Sequence, residues 1–202
     1  ADEQRQGRNV PGRVKGTSRG VAIAMRKASR APGAMARVAE LMAAAPGRLR
    51  DLETIAASRL FDEEFYLQRN PDVAASRVPG VIHYVLAGAS EGRDPHPLFS
   101  TAFYVEQARG LDARERNPLH HYLTYGWRAG YATHPMFDPI HYVAQYDDAA
   151  AVDGDPLTHY LEYGAAARRN PHPRFDVEFY LREHPDVLEA GVRRLALVTL
   201  FC

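Results

Sequence analysis

The sequence has one cysteine, Cys202, at its last position. A single thiol allows no internal disulfide and no cysteine-built metal site. Tryptophan is almost missing too, with Trp127 alone. No stretch approaches the roughly 18 apolar residues that would mark a membrane span. The segment Gly20–Met25 is too short and interrupted to be the core of a secretory signal. These absences predict an intracellular, soluble, cytoplasmic protein. The chain starts on alanine rather than methionine, which predicts a chain processed or cut from something longer.

Net charge is also lacking, since 25 Lys and Arg balance 25 Asp and Glu. The balance hides an asymmetry. Residues 1–50 carry 11 Lys and Arg against 3 Asp and Glu, which leaves 14 against 22 for residues 51–202. The pattern reads as a basic arm on an acidic body. Residues 1–19 have the basic, polar, glycine-containing composition of a disordered arm. Two readings stand for the arm, a solvated tail or a contact with nucleic acid, anionic lipid or an acidic partner.

What the chain does have is a repeat. Phe61, Phe99, Phe137 and Phe175 stand 38 residues apart. Tyr66, Tyr104, Tyr142 and Tyr180 keep that step, as do His83-Tyr84, His121-Tyr122 and His159-Tyr160. Gly88, Gly126 and Gly164 follow, then His96-Pro97, His134-Pro135 and His172-Pro173. The units are 61–98, 99–136, 137–174 and a partial 175–190.

Each unit reads as two helices. Asp62, Ser100, Asp138 and Asp176 are N-cap residues, whose short side-chain oxygens accept an orphan backbone N–H. The preceding Phe and the Tyr of the first turns have the spacing of a hydrophobic staple. Asn70-Pro71 and His184-Pro185 predict breaks, because proline disfavours helix in the residue before it. Asn117-Pro118 and Asp155-Pro156 start the second helix; the first unit has its proline displaced to Pro79. Leu119, Tyr122 and Leu123 lie on one helical face, and Gly126 and Gly164 read as helix stops. A unit of two amphipathic helices cannot bury both faces alone. The expected fold is all-α, with tandem two-helix repeats forming a short solenoid or stacked helical hairpins. Residues 34–45 and 48–60 read as helices, and the segment 20–60 as an N-terminal cap or, alternatively, a basic membrane-surface helix. Leu195–Phe201, within the tail 191–202, is an apolar run, either packed on the stack or the first strand of a further domain.

The chemistry-bearing motifs are sparse. No His-Glu-x-x-His helix, Gly-x-Ser-x-Gly elbow or phosphate-cradling loop is present. The recurring histidines come one per unit, and helices packed 8–10 Å apart put equivalent atoms roughly 16–20 Å apart, too far to share an ion. No metal, cofactor or catalytic residue is therefore expected. Asp147-Asp148 and Asp153/Asp155 form an acidic patch in an alanine-rich stretch that reads as a variable inter-helix loop. Tyr84, Tyr122 and Tyr160 belong to the apolar face. The histidine before each, His83, His121 and His159, lies nearer the helix edge. Two readings stand for these histidines: hydrogen bonding to a backbone carbonyl of the adjacent unit, or a ladder with Tyr125, Trp127, Tyr131 and Tyr163. Such a ladder suits an extended polymer, and sugars above all, because their C–H faces stack on aromatics while hydroxyls take hydrogen bonds. The net acidic body argues against nucleic acid.

The wording of the repeat, Phe-Asp-Glu-Glu-Phe-Tyr-Leu-Gln-Arg-Asn-Pro-Asp-Val at 61–73 and His-Tyr-Val-Leu-Ala-Gly-Ala-Ser-Glu-Gly-Arg-Asp-Pro-His-Pro at 83–97, resembles a bacterial repeat found beside glycosyltransferase and rhamnan-synthesis-type domains. The resemblance covers about residues 60–190. It implies an association with cell-envelope polysaccharide synthesis, at the inner face of the bacterial membrane, and carries no catalytic residues with it. Three functions are expected to compete: a scaffold for a protein partner or tethered glycosyltransferase domain, a glycan-binding module using the His/Tyr ladder, and a fragment of a glycosyltransferase whose chemistry lies elsewhere.

Overall fold

A computed structural model describes residues 46–111, 116–151 and 153–185, together with residue 40. The expected arm 1–19, the helix over 34–45 and the apolar run 195–201 lie outside the described residues. Those described are all-α: among them there are ten α-helices and no β-strand. Helix α1 spans Pro46–Ala57. The first unit holds α2 (Glu63–Arg69), α3 (Pro71–Ser76) and α4 (Gly80–His83). The second holds α5 (Thr101–Gln107) and α6 (Pro118–His121). The third holds α7 (Pro139–Gln145), α8 (Asp147–Ala151) and α9 (Pro156–His159). Helix α10 (Val177–Glu183) opens the fourth.

The cap residues act as their chemistry requires. Asp62, Asp138 and Asp176 accept from backbone N–H groups of their first turns at 2.9–3.0 Å, and Ser100 does so at 3.4 Å. Asn117 and Asp155 cap the second helices in the same way. In the first unit Pro79 has no side-chain oxygen to offer. There the Glu63 carboxylate crosses from α2 and accepts from Gly80 N–H at 2.8 Å and Val81 N–H at 3.2 Å, so a tertiary contact replaces the local cap.

Two local expectations are corrected. Asp147–Ala151 is a short helix, not a loop, and matches α3 of the first unit. Gly126 and Gly164 do not end the second helix. Each lies in a widened π-helical turn, Tyr84–Gly88, Tyr122–Gly126 and Tyr160–Gly164, and the next residue is still right-handed helical. The left-handed reversal comes four residues later, at Gly92 (φ 75°), Gly130 (φ 77°) and, in the third unit, Arg168 (φ 54°).

The core is a recurring aromatic cluster. Phe99, Tyr104 and Tyr122 are fully buried, with centroids 5.2–5.9 Å apart. Phe61, Tyr66 and Tyr84 repeat the arrangement at 5.2–5.8 Å, and Phe137, Tyr142 and Tyr160 at 5.6–5.7 Å. Phe175 and Tyr180 form the start of a fourth, 5.7 Å apart. The two tyrosines of each complete cluster meet edge to face, the favourable arrangement for rings whose faces are negative and edges positive, contributing about 0.5–1.5 kcal/mol a pair beyond burial.

Each unit closes on itself and is tied to the next. The backbone N–H of Asp62, Ser100 and Asp138 donates to the carbonyl of Pro95, Thr133 and Pro171 near the end of the same unit, at 2.9–3.0 Å. Between units, Tyr122 donates to Asp155 at 3.3 Å, and Thr101 N–H donates to Asp94 at 2.7 Å. Helix α1 lies across the second helices: Asp51 pairs with His120 at 3.2 Å, and Arg59, just past its end, with Glu162 at 2.7 Å.

Candidate functional site

The His-Tyr dipeptides do two jobs at once. Tyr84, Tyr122 and Tyr160 fill the core, and the histidine before each turns to the first helix of its own unit. Tyr66 Oη and His83 Nδ1 are 2.9 Å apart, Tyr104 and His121 2.7 Å, Tyr142 and His159 3.0 Å. The expected partner was a carbonyl of the adjacent unit; the actual one is a tyrosine hydroxyl of the same unit. Burial holds the tyrosine pKa values up, Tyr142 to about 12, and pulls His83 and His121 down, so the ties of the first two units join neutral groups. Each hydroxyl also presses on the glycine of the π turn. A Cβ on Gly88, Gly126 or Gly164 would fall inside the hydroxyl of Tyr66, Tyr104 or Tyr142. The recurring glycine is therefore a recess for the Tyr-His tie.

In comparisons with known proteins, no family model, no curated protein and no solved structure matches this chain.

The seven proposed ladder residues fall into unequal groups. In the second unit the structure brings together His121, Tyr125 and Tyr131. Tyr125 is 58% exposed with its ring 5.3 Å from His121, and half-buried Tyr131 stacks over the same imidazole at 6.3 Å. Trp127 is half-buried under the Arg128 guanidinium, 4.1 Å above its ring. In the third unit His159 is buried, and Tyr163, again 58% exposed, lies 5.3 Å from it. In the first unit Ala87 takes the place of these tyrosines, so half-buried His83 has no such ring beside it. Arg93 and Arg169 take the position that Tyr131 holds, and each clamps a carboxylate bidentately, Asp72 or Asp148, at 2.8–2.9 Å. The clamps hold both carboxyls below the usual carboxylate range.

Beside His121 and Tyr125 opens a cleft of about 560 Å³ between α1 and the second helix of the second unit. Arg48, Arg50 and Asp51 line it from α1; Arg116, Asn117, His120 and Thr124 line it from the repeat. Burial raises the Asp51 pKa, while His120, Arg48 and Arg50 oppose the rise. Sequence reasoning missed the three arginines and His120. Part of the signal was present, because the copies of Arg116 and His120 in the other units are Val78 and Gly154, and Ile82 and Thr158. The contribution of α1 had no local signal. Among the described residues no group of three or more His, Cys, Asp or Glu side chains is placed to hold a metal ion. No helix of the described residues is long and apolar enough to cross a membrane.

Proposed function

We propose that this chain is a non-catalytic binding and scaffolding module of bacterial cell-surface polysaccharide synthesis, and that it works by holding glycan on the face where its second helices meet α1. The observation that carries this reading is the pair Tyr125 and Tyr163. Both occupy the same position of successive units, both are 58% exposed, and both lean on a histidine fixed by a tyrosine. A large aromatic ring left in solvent beside an immobilised partner offers a flat apolar face with little entropy left to lose, which suits the C–H face of a sugar. The ladder has two rungs, in the second and third units.

In this reading the units stack as helical hairpins into a short solenoid and α1 caps them. The Tyr122–Asp155 bond between units, the Asp51–His120 contact and the ion pair Arg59–Glu162 support that arrangement. Chemistry on the polymer belongs to a tethered glycosyltransferase domain or a protein partner.

The test is an NMR titration of the whole chain with neutral and acidic oligosaccharides. Saturable shifts on Tyr125 and Tyr163, lost in the Tyr125→Ala/Tyr163→Ala variant, are the expected result. A folded sample that shows no saturable shift with any glycan overturns the proposal.

A further inference from the structure

The cleft between α1 and the second unit differs in charge from the body around it. The cleft lies where the basic segment 1–50, with 11 basic against 3 acidic side chains, meets the acidic body 51–202, with 14 against 22, and three arginines, Arg48 and Arg50 of α1 and Arg116 of the repeat, line one cavity. The single carboxylate in its wall, Asp51, is already paired with His120 at 3.2 Å. At the rim stands the exposed ring of Tyr125.

We infer that this cleft binds an acidic sugar residue, a pyranose ring carrying a carboxylate or phosphate, with its charge among Arg48, Arg50 and Arg116 and its C–H face on Tyr125. Guanidinium forks match both anions in bidentate geometry, so the recognised chemistry is shared. The aromatic rim is what separates a charged sugar from a bare anion. The cleft volume accommodates one or two rings, within the range usual for small-ligand sites. Charge selection is confined to the second unit. The third keeps an exposed tyrosine, Tyr163, but has Gly154 and Thr158 at the positions of Arg116 and His120. The second unit thus acts as the selective subsite and the third as a neutral neighbour along the same polymer. The inference rests on the glycan-binding reading above and adds its charge preference.

Calorimetric titration of the full chain at low salt tests it with four probes: trigalacturonate, mannose 6-phosphate, maltotriose and inorganic phosphate. The Arg48→Gln/Arg116→Gln and Tyr125→Ala variants are titrated beside it after circular dichroism confirms their fold. The expected result is saturable binding of the charged sugars, weakened about tenfold or more by the double arginine variant, as loss of charge-assisted hydrogen bonds requires, and weakened several-fold by Tyr125→Ala. Preference for trigalacturonate or for mannose 6-phosphate then identifies the carboxylate or the phosphate as the natural charge. Inorganic phosphate binding as tightly as either sugar, untouched by Tyr125→Ala, overturns the inference. Maltotriose binding equally well, untouched by the arginine variant, overturns it while leaving the glycan-binding function standing. Absence of saturable binding by every sugar overturns both.

Discussion

The hydroxyl of Tyr104 occupies the space in which a side chain on Gly126 would begin, and from there it reaches Nδ1 of His121 at 2.7 Å. The same three-residue relation joins Tyr66, Gly88 and His83, and Tyr142, Gly164 and His159. One interaction thus explains why three positions recur at the 38-residue step.

Replacing Gly126 with alanine must push the Tyr104 hydroxyl away and break its bond to His121. Overpacking of a tight site and a lost buried hydrogen bond together predict a loss of about 2–3 kcal/mol in urea unfolding. Tyr104→Phe removes the obstructing oxygen. In the Gly126→Ala background it is expected to cost at least about 1 kcal/mol less than in the wild type. Strictly additive losses would refute the recess.

Arg168 sits at φ 54°, where the two preceding units have Gly92 and Gly130. A side chain in the left-handed region costs about 1–2 kcal/mol, partly offset because glycine gives up more backbone freedom on folding. The Arg168–Glu178 contact, 3.5 Å between exposed groups, adds little. Arg168→Gly is therefore expected to stabilise the protein by about 0.5–1 kcal/mol, read as a higher urea midpoint at unchanged slope. A lower midpoint would show that the ion pair outweighs the backbone.

His96 is buried, and its Nδ1 accepts from Leu98 N–H at 3.0 Å inside the tight His-Pro-Leu-Phe turn. Burial lowers its pKa from 6.5 to about 4, so the unfolded chain takes up a proton that the folded one refuses. Stability is then flat above about pH 6.5 and falls as pH drops toward 4, by up to about 3 kcal/mol at roughly 1.4 kcal/mol per tenfold change in proton affinity. His83, His121 and His134 are shifted in the same direction and steepen the fall. Asparagine can accept the same turn hydrogen bond without titrating. His96→Asn should flatten the acid limb of a stability profile measured from pH 4 to 7; an unchanged limb would clear His96 of the effect.

Asp94 accepts from Thr101 N–H at 2.7 Å, and Asn170 from Val177 N–H at 2.9 Å. In the copy between them Ala132 has no side-chain acceptor and Pro139 no N–H, so both halves of the bond are gone together. Ala132→Asp alone is expected to be neutral or destabilising. Combined with Pro139→Thr it should regain about 1 kcal/mol of coupling in a double-mutant cycle, and zero coupling would contradict the pairing.

The period, the all-α class, the caps Asp62, Ser100, Asp138 and Asp176, and the breaks at Asn70 and His184 were legible in the chain, because each depends on atoms within about one helical turn. A serine or aspartate before a helix needs no distant partner to cap it. The role of Gly126 was misread for the opposite reason: glycine permits both a left-handed reversal and a close approach, and only the position of Tyr104 on another helix distinguishes them. The Asp147–Ala151 helix was read as a loop because alanine and aspartate carry no apolar stripe; Ala149 is buried, and the Arg169 clamp on Asp148 comes from a later segment. The ladder positions were visible as a pattern, but their exposure was not, since Tyr125 and Tyr131 differ in burial though both are tyrosines of one unit. The arginine-lined cleft required α1 to lie against the second unit, with Asp51 on His120. Periodicity specifies which face of a helix is buried, whereas the partner that buries it depends on how the whole chain packs.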